Sequence, residues 1–215
     1  MRHITIMLAD DHKLVRQGMQ SLLAAQPGFE VIGETSDGQE ALKMIETLSP
    51  DIAILDVMMP NLNGIEASKI AHQRGTKTKI IFLSMHANAT YAVRALQSGA
   101  LAYILKDSDF AEILQAIENV LEGRRYLSTA IADEVLEMLL NADIGKEDTL
   151  NMLSPREREI LQLIAEGNTN AVVAEKLTLS VRTVESHRSN ITKKLRLTSH
   201  SDLVKYAINK GLITP

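Results

Sequence analysis

Five short apolar runs rich in β-branched residues, Ile4–Ala9, Phe29–Gly33, Ile52–Asp56, Lys79–Leu83 and Leu101–Leu105, punctuate the first half of the chain. Between and after them lie longer stretches, Leu14–Ala25, Gln39–Leu48, Ile65–Gln73, Thr90–Gln97 and Phe110–Glu122, where apolar residues return every three or four positions. The first kind reads as strands buried on both faces, the second as amphipathic helices. Five strand–helix units in a row predict an α/β fold, a doubly wound five-stranded parallel sheet covered by helices on both faces. Right-handed crossovers then bring every strand C-terminus to one edge.

Beyond residue 122 the pattern is helical only. Ser128–Leu140 places Ile131, Val135, Met138 and Leu139 on one face, and the polar stretch Asn141–Asn151 has no period, which predicts a helix followed by a flexible linker. "LSPREREILQLIAEG" carries explicit helix punctuation: Ser154 as N-cap, Pro155 at the first helical position, Glu157 as capping-box partner and Gly167 as terminator. A short helix over about 170–177, a turn Thr178–Ser180 and a helix Val181–Leu195 form a helix-turn-helix, and a fourth helix over about 202–210 stops at Gly211. The expected organisation is a sheet domain at 1–122, a linker at 123–149 with a helix at about 128–140, and a smaller all-α four-helix domain at 150–215.

Charge sharpens that division. Residues 1–149 carry 13 basic and 21 acidic side chains, net −8, whereas 150–215 carry 10 and 6, net +4. A basic module joined to an acidic one points to nucleic-acid binding coupled to something else. No apolar run reaches the roughly 18–20 residues of a membrane span, and Met1 leads almost directly into strand-like sequence, so a cytoplasmic protein with no membrane partner is expected. With no cysteine, disulfide frameworks and thiolate metal sites are excluded.

The candidate chemistry lies at the predicted sheet edge. Asp10 and Asp11 follow the first strand, Asp56 ends the third, Ser84 ends the fourth and Lys106 follows the fifth. One carboxylate after a strand is ordinarily a cap or turn residue. A set delivered by four separate segments is harder to explain in that way. Three carboxylates in one place repel unless protonated or bridged by a cation, and an oxygen donor set suits Mg²⁺. Such a site is a setting for phosphoryl transfer to Asp56, with the metal and Lys106 neutralising the phosphoryl oxygens.

"LADD" followed by His12, "DIAILDVMMPNLNG" with Pro60 and Gly64, "IIFLSM" with Ser84, and "AYILK" with Tyr103 and Lys106 together resemble the flavodoxin-like receiver domain of bacterial two-component response regulators. The resemblance implies that Asp56 is the phospho-acceptor, that Asp11, Asp56 and the Met58 carbonyl ligate Mg²⁺, and that Asp10 assists through water. Lys106 would contact the phosphoryl group. Ser84 and Tyr103 would relay the change, Tyr103 turning into space that Ser84 vacates. Asn63, where an Asp often precedes the glycine, departs from the pattern outside the metal set.

The C-terminal segment resembles the LuxR-type helix-turn-helix through Pro155, Glu157, Leu161, Gly167, Asn170, Ala174, Leu177, Ser180, Thr183, Val184, His187, Asn190, Ile191, Lys194 and Leu195. Ala171-Val172 stands where the family usually has Lys-Glu. The whole chain is thus similar to NarL/FixJ-type response regulators. The resemblance implies a sensor histidine kinase and double-stranded DNA as partners, a homodimer on phosphorylation, RNA polymerase as a further candidate partner, and no enzymatic role beyond the chain's own phosphoryl transfer and dephosphorylation. At about 100° per residue Arg182, Glu185, Ser186, Ser189 and Lys193 share one arc of the second helix, with Val184, Ile191 and Leu195 opposite. Arg182, Arg188, Lys193 and Lys194 are expected on phosphates, with Thr183, Glu185, Ser186 and Ser189 also on the DNA side and Glu185 accepting from a cytosine amino group. His187 is expected to pack.

Other classes fit the sequence less well. A haloacid-dehalogenase-like phosphatase wants a second Asp two residues after its nucleophile, where this chain has Met58, and no Gly-Lys-Ser/Thr marks a P-loop. The complete set of acidic, hydroxyl and lysine groups argues against a receiver serving only as a protein-interaction or dimerisation module.

Overall fold

The structure, a computed structural model, describes residues 3–141 and 149–213, which fall into two compact units. In the first unit β1 (Ile4–Ala9), β2 (Phe29–Thr35), β3 (Ile52–Leu55), β4 (Lys79–Ser84) and β5 (Ala102–Leu105) alternate with α1 (Lys13–Ala24), α2 (Gly38–Leu48), α3 (Gly64–Gln73), α4 (Ala89–Gln97) and α5 (Phe110–Leu121). All strand pairs are parallel, and the order β2-β1-β3-β4-β5 reverses direction at β1, which opens a crevice between the C-terminal ends of β1 and β3.

The sheet has six strands where five were expected. After Gly123, in the left-handed region at φ +79°, β6 (Tyr126–Leu127) pairs in parallel with Ala102 and Tyr103 of β5. Two residues are too short to show a period, so only the partner strand makes this segment a strand. Then α6 (Thr129–Asn141) packs on α4, burying Ile131 and Val135 to 1% exposure in the same core as Tyr103. Residues 123–141, assigned by pattern to the linker, are therefore part of the first unit. Positions 142–148 of the expected flexible stretch lie outside the described residues.

Period-two alternation divides the core between two faces. Ile6, Leu8, Ile52, Ile54, Ile81, Leu83 and Ile104 pack with residues of α1 and α5, whereas Met7, Leu55, Ile80, Phe82, Tyr103 and Leu105 pack with α2, α3, α4 and α6. Two glycines allow close approach at the sheet edge. A Cβ on Gly64 would stand 2.1 Å from the Asp56 carbonyl oxygen, and one on Gly38 would stand 1.5 Å from that of Leu62. Asn63 caps α3 by accepting from the Glu66 amide, a role that Asn and Asp fill equally well.

The second unit holds a 3-10 turn (Thr149–Met152), α7 (Pro155–Ala165), α8 (Asn170–Lys176), α9 (Val181–Leu195) and α10 (His200–Asn209). Ser154 and Glu157 form the expected capping box, and a second box, Ser199 with Asp202, starts α10 two residues before the pattern suggested. The 3-10 turn differs from the expected linker because Leu150 is anchored in the core, while buried Arg158 donates to the carbonyls of Leu150 and Leu153 at 3.1 and 3.0 Å. The turn between α8 and α9 contains Thr178 at φ +53°, and α9 ends on Arg196 at φ +54°.

Candidate acidic site and recognition helix

Strand register assembles the acidic site. Ala9 is paired with Leu55, and the Asp56 amide donates to the Ala9 carbonyl at 2.7 Å, so the next residues along, Asp10 and Asp56, come side by side. On the other flank, Ser84 is paired with Leu105 and the Lys106 amide donates to the Ser84 carbonyl at 2.8 Å, which directs Lys106 to the same edge. Its ammonium bridges Asp56 Oδ2 at 2.7 Å and Asp10 Oδ2 at 2.8 Å. Asp10 and Asp56 are buried while Asp11 is half exposed, its carboxylate 2.8 Å from His12 Nδ1. Arg16 of α1 donates to the Asp10 carbonyl, a contact that α1's sequence pattern gave no reason to single out.

Electrostatics follow from this burial. Loss of solvent is the largest influence on Asp56 and pushes its carboxyl up to about 6; Asp10 adds to the rise, while the Lys106 ammonium and the Met58 amide, 3.4 Å from Oδ1, oppose it. Burial alone would lower Lys106, but the combined pull of Asp56 and Asp10 holds it above its ordinary value. The donor set fits a hard dication. One ligand atom from each of Asp10, Asp11, His12 and Asp56 lies within 4.8 Å of the others, and three of the four are carboxylate oxygens.

The expected relay residues meet on one face. Ser84 and Tyr103 are both fully buried, and the Ser84 Oγ accepts the His86 amide at 3.2 Å. The Tyr103 ring is interior, and its hydroxyl donates to the His86 carbonyl at 2.8 Å. Burial pushes that hydroxyl up to about 12. Sequence reasoning missed Ser128, a buried residue whose Oγ accepts the Leu105 amide at 3.1 Å and whose amide donates to the Tyr103 carbonyl at 3.0 Å. A lone serine before a helix reads only as a cap.

On α9 the polar arc is exposed as expected: Arg182, Glu185, Ser186, Ser189 and Lys193 all face outward, while Val184 and Ile191 are fully buried. Three flanking residues are engaged elsewhere. Thr183 contacts the capping Ser180 hydroxyl at 2.7 Å, and half-buried Arg188 reaches Asn170 Oδ1 at 3.4 Å. Lys194, expected on phosphate, places its ammonium 2.7 Å from the buried carboxylate of Glu157. Burial would raise Glu157, but Lys194 and Ser154 together hold it below its ordinary value. His187 is half-buried, and Ala171 and Val172 are exposed on α8.

Fold and site together define a signalling protein with a receiver and a helix-turn-helix. Residues 6–118 match the response regulator receiver domain and residues 151–207 match the bacterial regulatory proteins of the luxR family. The chain belongs to the two-component response regulators that join a receiver to a LuxR-type DNA-binding domain. It is 38% identical over 212 residues to the transcriptional regulatory protein LiaR of Bacillus subtilis, covering 98% of this chain and 99% of that one. Among solved structures, a LuxR-family response regulator from Aurantimonas sp. SI85-9A1 is 38% identical with a TM-score of 0.61, over 64% of this chain and 99% of that one. RcsB from Salmonella enterica serovar Typhimurium, solved bound to a promoter in the presence of phosphomimetic BeF3⁻, is 25% identical with a TM-score of 0.60, over 95% of this chain and 98% of that one. No described helix is long and apolar enough to cross a membrane.

Proposed function

We propose that Asp56 accepts a phosphoryl group from a sensor histidine kinase and that this modification controls sequence-specific binding of α9 to double-stranded DNA. The observation that carries the reading is the Lys106 ammonium held between Asp10 and Asp56 at 2.8 and 2.7 Å. An Asp56 oxygen forms the new bond to phosphorus as the bond from phosphorus to the donor nitrogen breaks, and the donor histidine leaves as imidazole. Lys106 then exchanges its contact with the carboxylate for one with a phosphoryl oxygen. Asp10, Asp11, Asp56 and the Met58 carbonyl are the groups assigned to Mg²⁺, which when bound supplies positive charge to the transferring phosphoryl oxygens. No other enzymatic role is assigned.

Transmission starts at Ser84, whose hydroxyl moves from the His86 amide towards the new acceptor oxygens. Because Tyr103 is held by the same His86, displacement of that residue loosens the tyrosine's hydrogen bond without a full ring rotation. The consequence is a shift in a two-state surface that includes α4 and α6, followed by homodimerisation. Residues 123–141 act as part of the receiver in this reading, and 150–215 as the DNA-binding domain. Arg182 and Lys193 hold phosphates, Glu185, Ser186 and Ser189 face base edges, and Thr183, Arg188 and Lys194 act chiefly by fixing α9. The place of action is the cytoplasm, and RNA polymerase is the expected downstream partner.

Incubation of the full chain with Mg²⁺ and a small phosphodonor, read by intact mass, tests the chemistry. One phosphoryl group should add to the wild type and none to Asp56→Asn; labelling of that variant would reject the assignment. Anisotropy with selected DNA fragments, with and without the donor, tests the coupling, and equal affinity in both states would leave the receiver as an interaction module.

A further inference from the structure

His12 begins α1 without capping it through its side chain, and that side chain is 60% exposed, so neither core nor helix accounts for its position. The ring nevertheless lies against the acidic cluster. Nδ1 stands 2.8 Å from Asp11 Oδ1, 3.4 Å from Asp10 Oδ1 and 3.8 Å from Asp56 Oδ2. The His12 amide donates to Asp10 Oδ1 at 2.8 Å, which tethers the residue at that place. Borderline dications hold nitrogen and oxygen donors at about 2.0–2.2 Å, so adjacent ligand atoms on one ion stand roughly 3 Å apart and opposite ones roughly 4 Å. All three distances from Nδ1 fall close to that span.

We propose that His12 is a nitrogen ligand of the acidic site and makes it prefer transition-metal dications such as Mn²⁺ and Ni²⁺ over Mg²⁺ at equal concentration. The inference rests on the reading that Asp10, Asp11 and Asp56 hold a divalent cation. A hard ion such as Mg²⁺ gains little from imidazole, whereas a mixed nitrogen and oxygen site binds more tightly from Mn²⁺ towards Ni²⁺. Lys106 is the competitor, with its ammonium on both buried carboxylates and 3.5 Å from Nδ1. Every dication must displace the same ammonium, so Lys106 lowers affinity for all of them and leaves their order to the donor atoms.

Tag-free full-length protein at fixed pH and ionic strength provides the test, through calorimetric titration with Mg²⁺, Mn²⁺ and Ni²⁺ and pulsed electron paramagnetic resonance of the Mn²⁺ complex. The wild-type spectrum should carry ¹⁴N coupling that is absent in His12→Ala and in Asp11→Asn, the latter identifying the signal with this site. His12→Ala and His12→Gln should lose Ni²⁺ affinity on the order of tenfold or more while Mg²⁺ affinity stays within about twofold. Mn²⁺ bound without ¹⁴N coupling, together with unchanged Ni²⁺ affinity in both His12 variants, would overturn the ligand assignment and leave the acidic site standing. Binding of no dication by the wild type, or equal binding by Asp11→Asn, would instead overturn the acidic site itself and His12 with it.

Discussion

The backbone amide of Ser128 donates to the carbonyl of Tyr103 at 3.0 Å, so the expected relay tyrosine and the residue that leads into α6 are joined by a single hydrogen bond. With Ile131 and Val135 buried in the same core as Tyr103, α6 is part of the face that the relay would move. Replacing Ile131 by Ala should cost about 2–5 kcal/mol of the stability that holds α6 down. Hydrogen exchange should therefore speed up across 128–140 and leave β1 and β3 protected; unchanged exchange in α6 would show that its docking contributes nothing.

Asp56→Asn should stabilise the metal-free protein near neutral pH. A carboxyl pushed from 3.8 to about 6 binds its proton more tightly when folded, so its ionisation destabilises the fold fully above pH 6. That penalty fades as pH falls through about 6 towards 3.8. About two pKa units correspond to a ceiling of roughly 3 kcal/mol, a net figure that already contains the attraction to Lys106, so the gain at pH 7.5 should be on the order of 1–3 kcal/mol. Denaturant unfolding at pH 7.5 and 5 measures it, and the difference between variant and wild type should shrink at the lower pH.

Neighbouring lysines on α9 should separate cleanly. Lys194→Ala leaves the buried Glu157 carboxylate without its ion pair and should destabilise the second unit by about 1–2 kcal/mol, a figure reduced for the partial exposure of the lysine. Lys193→Ala should leave stability unchanged, weaken all DNA sequences similarly and shallow the salt dependence by about one unit. Urea unfolding and anisotropy at several salt concentrations distinguish the two roles.

Glu185 is exposed on the outward arc. A carboxylate near phosphates opposes binding unless it meets a donor such as the cytosine amino group, so Glu185→Ala should relax the preference at one base pair by about 1–3 kcal/mol. Identical base preferences from binding-site selections on wild type and variant would reduce Glu185 to a surface charge.

Long, strongly periodic segments declare themselves in one dimension. The five major strands, the helices between them and the punctuated start of α7 were legible because alternation, spacing of apolar residues and capping chemistry are local properties of the chain. The convergence of Asp10, Asp56 and Lys106 was legible too, since a parallel sheet with right-handed crossovers leaves its strand ends on one edge. Other features depend on partners remote in sequence. Tyr126–Leu127 becomes a strand only because β5 offers an unpaired edge, and α6 joins the receiver only because α4 and the Tyr103 face leave apolar surface for Ile131 and Val135 to cover. The ion pair of Lys194 with Glu157 exists only because α7 packs on α9. The partner of the Tyr103 hydroxyl, the His86 carbonyl 17 positions earlier, is likewise supplied only by the fold. Sequence alone determined which residues reach the sheet edge and the recognition helix; tertiary packing decided their partners, because burial and charge pairing are set by neighbours in space.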